Sequence, residues 1–326
     1  MSIDFAYIVT RGFLALAIAL ASAGAGAQAF PTKPIRLVVP FAPGGVDAIA
    51  RIILPGAEKE LGGTFLIDNR PGGGGTIAAS IVAKAEPDGH TLLLSDWGAV
   101  VYVLGLMKEV PYDPKRDLVA VEMILKSNLM LVAGPGSKFS NLREMIDQMK
   151  ANPGAVAIGD SGVGTGHHLA LELFKAHSKL DFQIVHYKGS TFSFQDMLGG
   201  QIPAVMTGAN NAGSFVRQGK LKAIAFMAAN RHPDFPDIPS MSEPYPSYKG
   251  ALTVTGIWAP SRIPRDILVR LNAAIAKSVK SPEVAAQFTK LGIEPYAPGL
   301  EEMARVWHEE LALWPDFIRK LGITAQ

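Results

Sequence analysis

Short apolar runs alternate with amphipathic segments through most of the chain. Continuous apolar runs bounded by turn residues predict buried strands, and such runs occupy residues 35–39, 64–67, 91–95, 156–159, 183–186, 204–206 and 223–226. Between them, residues 47–61, 166–177 and 299–321 repeat apolar residues at helical spacing. This alternation of strands and helices predicts an α/β fold built on parallel sheets.

The segment 47–61 shows the helical pattern clearly. Its residues Ile49, Ile53 and Leu61 fall on one face, which predicts a helix packed against the sheet. Asp47 is expected to cap the start, because an aspartate side chain accepts hydrogen bonds from the free N–H groups of a first helical turn. Pro55 is expected to kink the helix.

Two extended stretches divide the chain. Residues 117–137 form a long strand-like pattern ending in Gly-Pro-Gly, and the proline-rich stretch 231–250 leads into a second strand-like pattern at 251–260. We expect the chain to leave one domain along the first stretch and to return along the second. This predicts a discontinuous domain I, residues 30–125 and 253–326, and a domain II of residues 126–252. Two connecting strands form a hinge, and a hinged cleft suits ligand capture.

The N-terminal residues 1–29 have the pattern of a secretory signal peptide. Arg11 precedes an apolar run over 12–27, and small residues in an A-x-A arrangement end at Ala29. The alternative is a membrane anchor, but the run is short and rich in alanine and glycine for a span. We therefore expect cleavage after Ala29, with Ala27 as the competing site, and a soluble mature protein in the periplasm.

The charge balance and the absence of cysteine exclude several classes of function. The chain of 326 residues carries 31 basic and 29 acidic residues, and no basic cluster of the kind that neutralises nucleic-acid phosphates is present. Because the chain has no cysteine, disulfides, thiolate metal sites and cysteine nucleophiles are excluded. No cofactor and no resident metal are expected.

Four consecutive glycines, residues 72–75, follow the strand 64–67 and precede a helix predicted to begin near Thr76. A loop that leads into a helix N-terminus offers free N–H groups and a positive dipole end, which favour an anion. Neither the phosphate-loop motif nor the dinucleotide motif is satisfied. Gly73, Gly74, Gly75 and Thr76 are therefore candidate contacts of a carboxylate, and a plain tight turn is the alternative.

The same order of strand, small-residue loop and helix recurs at 38–51 and 157–174. In open α/β sheets, ligands bind beyond the carboxyl ends of the strands, where such loops gather. Asp96 and Trp97 follow the strand 91–95 and are candidates to line the same cleft. For these two residues, a strand-end cap beside a packed ring is the alternative. Together the loops predict a binding cleft.

Two catalytic interpretations are weaker. The tetrapeptide 159–162, GDSG, suggests a hydrolase with Ser161 as nucleophile and His167 as base, but Val163 stands where the nucleophile elbow requires glycine. Ser161 is better suited to donating a hydrogen bond to a ligand. His168 and Glu172 are spaced as a metal pair on a helix, but a third ligand is missing.

An ordered set of motifs resembles a known family. The motifs include NRPGGGGTIAA at 69–79, SGVGTGHHLALELF at 161–174 and HYKGS at 186–190. Together with the intervening sequence over 31–324, they are similar to the Bug family, the periplasmic solute-binding receptors of tripartite tricarboxylate transporters. The resemblance implies a two-domain, type II periplasmic-binding-protein fold whose cleft binds a small carboxylate or related amide. It further implies a membrane permease as partner, or a signalling partner in members that act as sensors, and a monomeric receptor.

The resemblance also implies which residues hold the ligand. Matching the motifs position by position gives Phe41, Ala42, Gly44, Gly45 and Asp47 in the first loop, Gly73 to Thr76 in the second, Ser161, Gly164, Thr165 and His167 in the domain II loop, and then Tyr187 and Lys188. Asn210, in a segment that departs from the family pattern, is a further candidate ligand contact.

Three departures from the family pattern bear on ligand identity. Only Val46 separates the paired glycines from Asp47, where the family usually has two residues. His186 stands where proline is usual, and the segment 208–211, GANN, replaces a commonly Asp-Asn-type segment. The predicted fold does not depend on these positions.

Overall fold

The computed structural model describes residues 30–248, 250, 252–291 and 293–324. The predicted signal peptide, residues 1–29, lies outside the described residues. Ten strands are described: β1 Ile35–Val39, β2 Phe65–Asn69, β3 Thr91–Asp96, β4 Leu118–Ala133, β5 Ala157–Asp160, β6 Gln183–His186, β7 Ala204–Gly208, β8 Lys222–Phe226, β9 Leu252–Pro260 and β10 Glu294–Pro295.

The α-helices of the described residues are α1 Val46–Leu61, α2 Thr76–Ala83, α3 Val103–Leu106, α4 Pro114–Asp117, α5 Leu142–Ala151, α6 Gly166–Ser178, α7 Ser190–Leu198, α8 Ala209–Arg217, α9 Arg265–Val279, α10 Pro282–Leu291 and α11 Leu300–Lys320. The predicted α/β alternation is confirmed, and each of the seven predicted strands is present within two residues of its expected bounds. Among the described helices, none combines the length and apolar character needed to cross a bilayer.

One continuous ladder connects the strands in the order β2-β1-β3-β9-β4-β7-β5-β6, and β8 and β10 also pair with β4. The outer pairs, β1 with β2 and β3 and β5 with β6 and β7, are parallel. The pairs made by β4 and β9 are antiparallel. The sheet therefore has two parallel regions joined through two long antiparallel strands.

Strand β4 belongs to both regions. Its residues Leu118 to Asn128 pair with β9, whereas Leu129 to Ala133 pair with β7. The change of partner after Asn128 separates a first half, which contains β1 to β3 and β9, from a second half, which contains β5 to β8. The strand-like patterns predicted at 117–137 and 251–260 correspond to β4 and β9. The domain bounds 125/126 and 252/253 stay predictions.

Helix α1 packs against α9 in the first half. Ile53 and Leu271 are fully buried between the helices and the sheet, and the Ser278 hydroxyl donates a hydrogen bond to the Ile53 carbonyl at 2.5 Å. The predicted cap at Asp47 is wrong, because α1 already begins at Val46. Asp47 instead lies in the first turn, where its carboxylate accepts a hydrogen bond from Arg51 at 2.9 Å.

Candidate ligand-binding site

A cavity lies where loops from the two halves of the sheet meet. The space there that is free of protein atoms is about 610 Å³, a figure that includes open solvent at the mouth of the cavity. Loops that follow β1, β5, β6 and β7 form its walls, and strands β3, β4 and β9 contribute residues beneath them. The lining residues are Phe41, Ala42, Gly44, Gly45, Val46, Ile49, Asp96, Leu125, Ser127, Ser161, His167, Gly189, Ser190, Thr191, Gly208, Asn210, Asn211 and Thr255.

Two helix N-termini lie against each other at the wall of this cavity. A Cβ built on Gly44, before α1, would lie 2.6 Å from Thr191 Oγ1 in the first turn of α7, and one on Gly45 would lie 3.3 Å from Ser190 Oγ. The positive φ of Gly44, 110°, allows this close approach. Both helices direct N–H groups and positive dipole ends toward the same space, which is a favourable environment for a carboxylate.

The strand register places three cavity residues in one row. Asp96 on β3 is opposite Thr255 on β9, and Thr255 is opposite Leu125 on β4. Directly opposed residues point to the same face of a sheet, and all three line the cavity. This row is the floor of the site.

Asp96 is a buried carboxyl group in that floor, with 3% of its surface exposed. Its Oδ1 accepts a hydrogen bond from the Gly98 N–H at 2.9 Å. Burial raises the pKa of Asp96 to about 6, because desolvation disfavours the charged form. Among the described residues that line the cavity there is no lysine or arginine. The side-chain charge of the lining is therefore that of Asp96.

His167 begins a hydrogen-bonded chain in the second half. Its Nδ1 lies 2.6 Å from Ser161 Oγ, and the Ser161 hydroxyl donates to Thr165 Oγ1 at 3.0 Å. The Thr165 hydroxyl in turn donates to the Gly162 carbonyl at 2.7 Å. Since each hydroxyl has one proton, this order assigns the imidazole proton to Nδ1 and leaves Nε2 as an acceptor.

The Nε2 atom of His167 is buried and has no hydrogen-bond partner within the described part of the chain. Burial lowers the pKa of His167 to about 4, so the ring is neutral at neutral pH. In a hydrolytic triad, a third group orients the base from its far nitrogen. Within the described residues His167 has no such group, so the Ser161–His167 pair does not form a triad.

An amide chain links the strand β4 to the helices of the second half. Ser127 Oγ donates to Asn210 Oδ1 at 3.1 Å, and Asn210 Nδ2 donates to Asn211 Oδ1 at 3.2 Å. Asn211 Nδ2 then reaches Thr207 Oγ1 at 3.2 Å and Ser190 Oγ at 3.5 Å. This chain fixes the orientation of both amides at the cavity wall.

The structure brings part of the predicted set together. The residues that line the cavity are Phe41, Ala42, Gly44, Gly45, Asp96, Ser161, His167 and Asn210. The residues outside its lining are Asp47, Gly73, Gly74, Gly75, Thr76, Trp97, Gly164, Thr165, Tyr187 and Lys188. For the second set, direct ligand contact stays a prediction.

The glycine run takes part in a contact between the halves. Gly73 to Gly75 form a short 3-10 turn before α2. A Cβ built on Gly74 would lie 2.2 Å from the Val163 carbonyl oxygen and 3.1 Å from Gly164 Cα. The backbone of the first half therefore lies against the backbone of the loop that carries Ser161.

Several other predicted residues have structural partners. Trp97 is 1% exposed and packs beside Trp258, with ring centroids 6.4 Å apart. Thr165 caps α6 by accepting a hydrogen bond from the His168 N–H at 3.3 Å. The Tyr187 hydroxyl donates to Asp196 at 2.8 Å. These contacts support the loops that surround the cavity.

Sequence reasoning missed a further group of lining residues, namely Val46, Ile49, Leu125, Ser127, Gly189, Ser190, Thr191, Gly208, Asn211 and Thr255. Gly189 to Thr191 repeat the order of strand, small-residue loop and helix, so that signal was present in the sequence. By contrast, Leu125, Ser127 and Thr255 lie within strands and are identified only by strand register.

Comparison with known proteins gives a consistent family match. Residues 49–323 match the family described as "Tripartite tricarboxylate transporter family receptor". Protein BugT of Bordetella pertussis is 34% identical over 299 residues, which cover 91% of this chain and 91% of BugT. The match therefore extends over nearly the whole of both proteins.

Solved structures agree with the sequence match. A structure titled as a periplasmic transporter superposes with a TM-score of 0.85 at 31% identity, covering 91% of this chain and 100% of the other. MatC from Rhodopseudomonas palustris with bound malate gives 0.81 at 30% identity, covering 89% and 100%. R. palustris Rpa4515 with adipate gives 0.83 at 28% identity, covering 90% and 98%.

Proposed function

Because this chain belongs to the tripartite tricarboxylate transporter receptor family, we propose that it captures a small organic acid in its cavity and delivers the acid to the membrane permease of such a transporter. The family and its structural neighbours are periplasmic solute-binding receptors and not enzymes. The proposal concerns the class of ligand, the residues that hold it and the permease as partner.

The facing starts of α1 and α7 carry the proposal. They belong to different halves of the sheet, and both line the cavity through Gly44, Gly45, Ser190 and Thr191. A carboxylate bound in the cavity beside both helix starts accepts hydrogen bonds from their N–H groups and stabilises the approach of the halves. Such a ligand binds the closed form better than an open one, which is the condition for driving closure.

Two structural neighbours support the ligand class. MatC is described with bound malate and Rpa4515 with adipate, and both ligands are small carboxylates. We assign the contacts in this chain to Phe41, Ala42, Gly44, Gly45, Ser161, His167 and Asn210, together with the first turn of α7. The receptor acts as a monomer, and the permease recognises its closed surface.

A ligand screen tests the proposal. Thermal unfolding of the purified receptor is followed with mono-, di- and tricarboxylates, their amides and their amino derivatives, because a ligand that binds only the folded state raises the melting temperature. At least one compound should raise it, and calorimetry should give one site. Mass spectrometry of small molecules that co-purify identifies the natural ligand. A folded receptor that responds to no member of the panel contradicts the proposal.

A matched pair of variants locates the site. Gly44→Ala places a methyl group against Thr191 and should abolish the response. Gly299→Ala has a similar positive φ, 94° against 110° for Gly44, but its Cβ meets no atom within 4 Å. Gly299→Ala should therefore bind as the wild type does. Equal binding by both variants would place the ligand elsewhere.

A further inference from the structure

The cavity presents two hydrogen-bond acceptors that a simple carboxylate cannot satisfy. Asp96 is an acceptor when ionised, and His167 Nε2 is an acceptor in the tautomer assigned by the Ser161–Thr165 chain. Both residues line the cavity and both are at least nine-tenths buried. A ligand that offered only oxygen acceptors here would leave His167 Nε2 unpaired and would place a second negative charge beside the ionised Asp96.

The two acceptors belong to neighbouring parts of the site. A Cβ built on Gly98 would lie 2.8 Å from Asp96 Oδ1, 3.1 Å from the Gly164 carbonyl and 3.1 Å from Thr165 Cα. The end of β3 therefore meets the loop that runs from Ser161 to His167. The contact between the starts of α1 and α7 is formed by different residues, Gly44 and Gly45 with Ser190 and Thr191.

From this arrangement we infer that the ligand carries a protonated amino group in addition to its carboxylate, and that Asp96 and His167 select for that group. The inference rests on the proposed function, because the carboxylate is held at the starts of α1 and α7. An ammonium group has three N–H donors and no acceptor. One donor pairs with the Asp96 carboxylate and a second with His167 Nε2.

The charge of the lining agrees with this ligand class. No lysine or arginine is found among the described residues that line the cavity, so nothing there but helix dipoles and N–H groups offsets a second carboxylate. The ionised Asp96 gives the side chains of the lining a charge of −1. A zwitterion brings one negative and one positive charge, so its positive group pairs with Asp96. The ammonium also compensates the desolvation that raises the pKa of Asp96 to about 6.

Matched ligand pairs test the inference. In each pair an ammonium group replaces one carboxylate of a dicarboxylate, as 5-aminopentanoate does for adipate and 3-amino-2-hydroxypropanoate does for malate. A series of such pairs from three to seven carbons is titrated into the receptor by calorimetry at pH 8, where Asp96 is ionised. For the pair that fits the cavity, we expect the amino member to bind at least tenfold more tightly.

Two variants separate recognition from folding. Asp96→Asn keeps the shape and the acceptor for the Gly98 N–H but removes the charge, and it should lower the affinity for the amino member at least tenfold. Glu122→Gln is the matched control, because Glu122 is also a fully buried carboxyl that accepts backbone N–H groups, from Met123 and Gly299, and it lies outside the cavity lining. It should leave the preference between pair members unchanged.

Each contrary result has a distinct meaning. Tighter binding of the dicarboxylate by the wild type overturns the inference while the proposed function stands, and this result needs no variant to fold. An unchanged preference in Asp96→Asn also overturns it. If a folded receptor binds no member of the series, the inference is overturned, and the proposed function is overturned as well only if the wider panel of carboxylates and amides also fails to bind.

Discussion

The backbone contact between Gly74 and Val163 makes the approach of the two halves sensitive to a single methyl group. Gly74 has φ 61° and ψ 22°, and a Cβ there would lie 2.2 Å from the Val163 carbonyl oxygen. Ordinary van der Waals contact of a Cβ begins near 3.4 Å. Gly74→Ala therefore requires the two backbones to separate by about 1 Å, and no flexible side chain is present to absorb the shift.

The expected cost follows from overpacking. Inserting one methyl group into a well-packed contact costs about 1–3 kcal/mol, which corresponds to a factor of roughly 5 to 150 in an equilibrium constant. The contact joins the two halves of the sheet, so the cost falls on the closed form. The Kd of the tightest ligand should rise by roughly that factor, while the melting temperature of the free receptor should fall only as far as the backbone strain of a left-handed alanine requires.

A second glycine isolates the overlap from backbone strain. Gly62, after α1, has φ 69° and ψ 31°, close to the values at Gly74, but its Cβ would meet no atom within 4 Å. Gly62→Ala therefore carries the strain of a left-handed alanine, about 1–2 kcal/mol, without the overlap. Calorimetry measures Kd for both variants, and small-angle scattering measures compaction at saturating ligand. Equal Kd values and equal compaction in the two variants would refute the reasoning.

Three further predictions concern single side chains. Replacing the fully packed Trp97 by alanine should lower the free energy of unfolding by about 3–5 kcal/mol in urea titrations, and it should leave the ranking of ligands unchanged because Trp97 lies outside the cavity lining. The affinity for an amino-bearing ligand should be constant above about pH 7 and should fall as pH drops through about 6. Protonation removes the charge of Asp96 in this range, while His167, with a pKa of about 4, stays neutral. An affinity measured by calorimetry that does not change from pH 8 to 5 would contradict this. Burial raises the pKa of Glu122 from 4.5 to about 7 in the folded state, so its stabilising contribution is complete below pH 4.5 and is lost as pH rises through 7. The decrease in melting temperature between pH 5 and 8 should be smaller in Glu122→Gln, and an unchanged slope would refute the assignment.

Much of the fold follows from local sequence. Most of the seven predicted strands were identifiable because strands buried on both faces are continuous apolar runs. The expected burial is wrong for β2 and β6, which lie at the two edges of the sheet and are largely exposed or half-buried. The start of α1 was not identifiable from local sequence. Its first turn is positioned by Gly45, whose φ of 48° is a left-handed value. Asp47 has the residue type of a cap, but the glycine turn places the helix start one residue earlier.

The site was predictable where it consists of loops and not where it consists of strands. Glycine and serine between a strand and a helix indicate a loop that meets a ligand, and Gly44, Gly45 and Ser161 follow that pattern. The row of Asp96, Thr255 and Leu125 depends on the register of three strands that are far apart in sequence. Local sequence likewise does not determine which of the adjacent residues Asp96 and Trp97 faces the cavity, because β3 ends at Asp96 and the backbone turns to helical angles at Trp97.

The position of β9 in the sheet determines the order in which the protein can assemble. Strands β3 and β4 are separated by β9, which is formed by residues 252–260. The second half has all of its strands by residue 226, whereas the first half has a gap until residue 260 is available. Domains generally fold as units from the N-terminus during synthesis, but here the N-terminal half has to wait for a late segment. The cavity obtains Thr255, and with it a complete floor, only at that stage, so a nascent chain cannot hold ligand until most of its sequence has emerged.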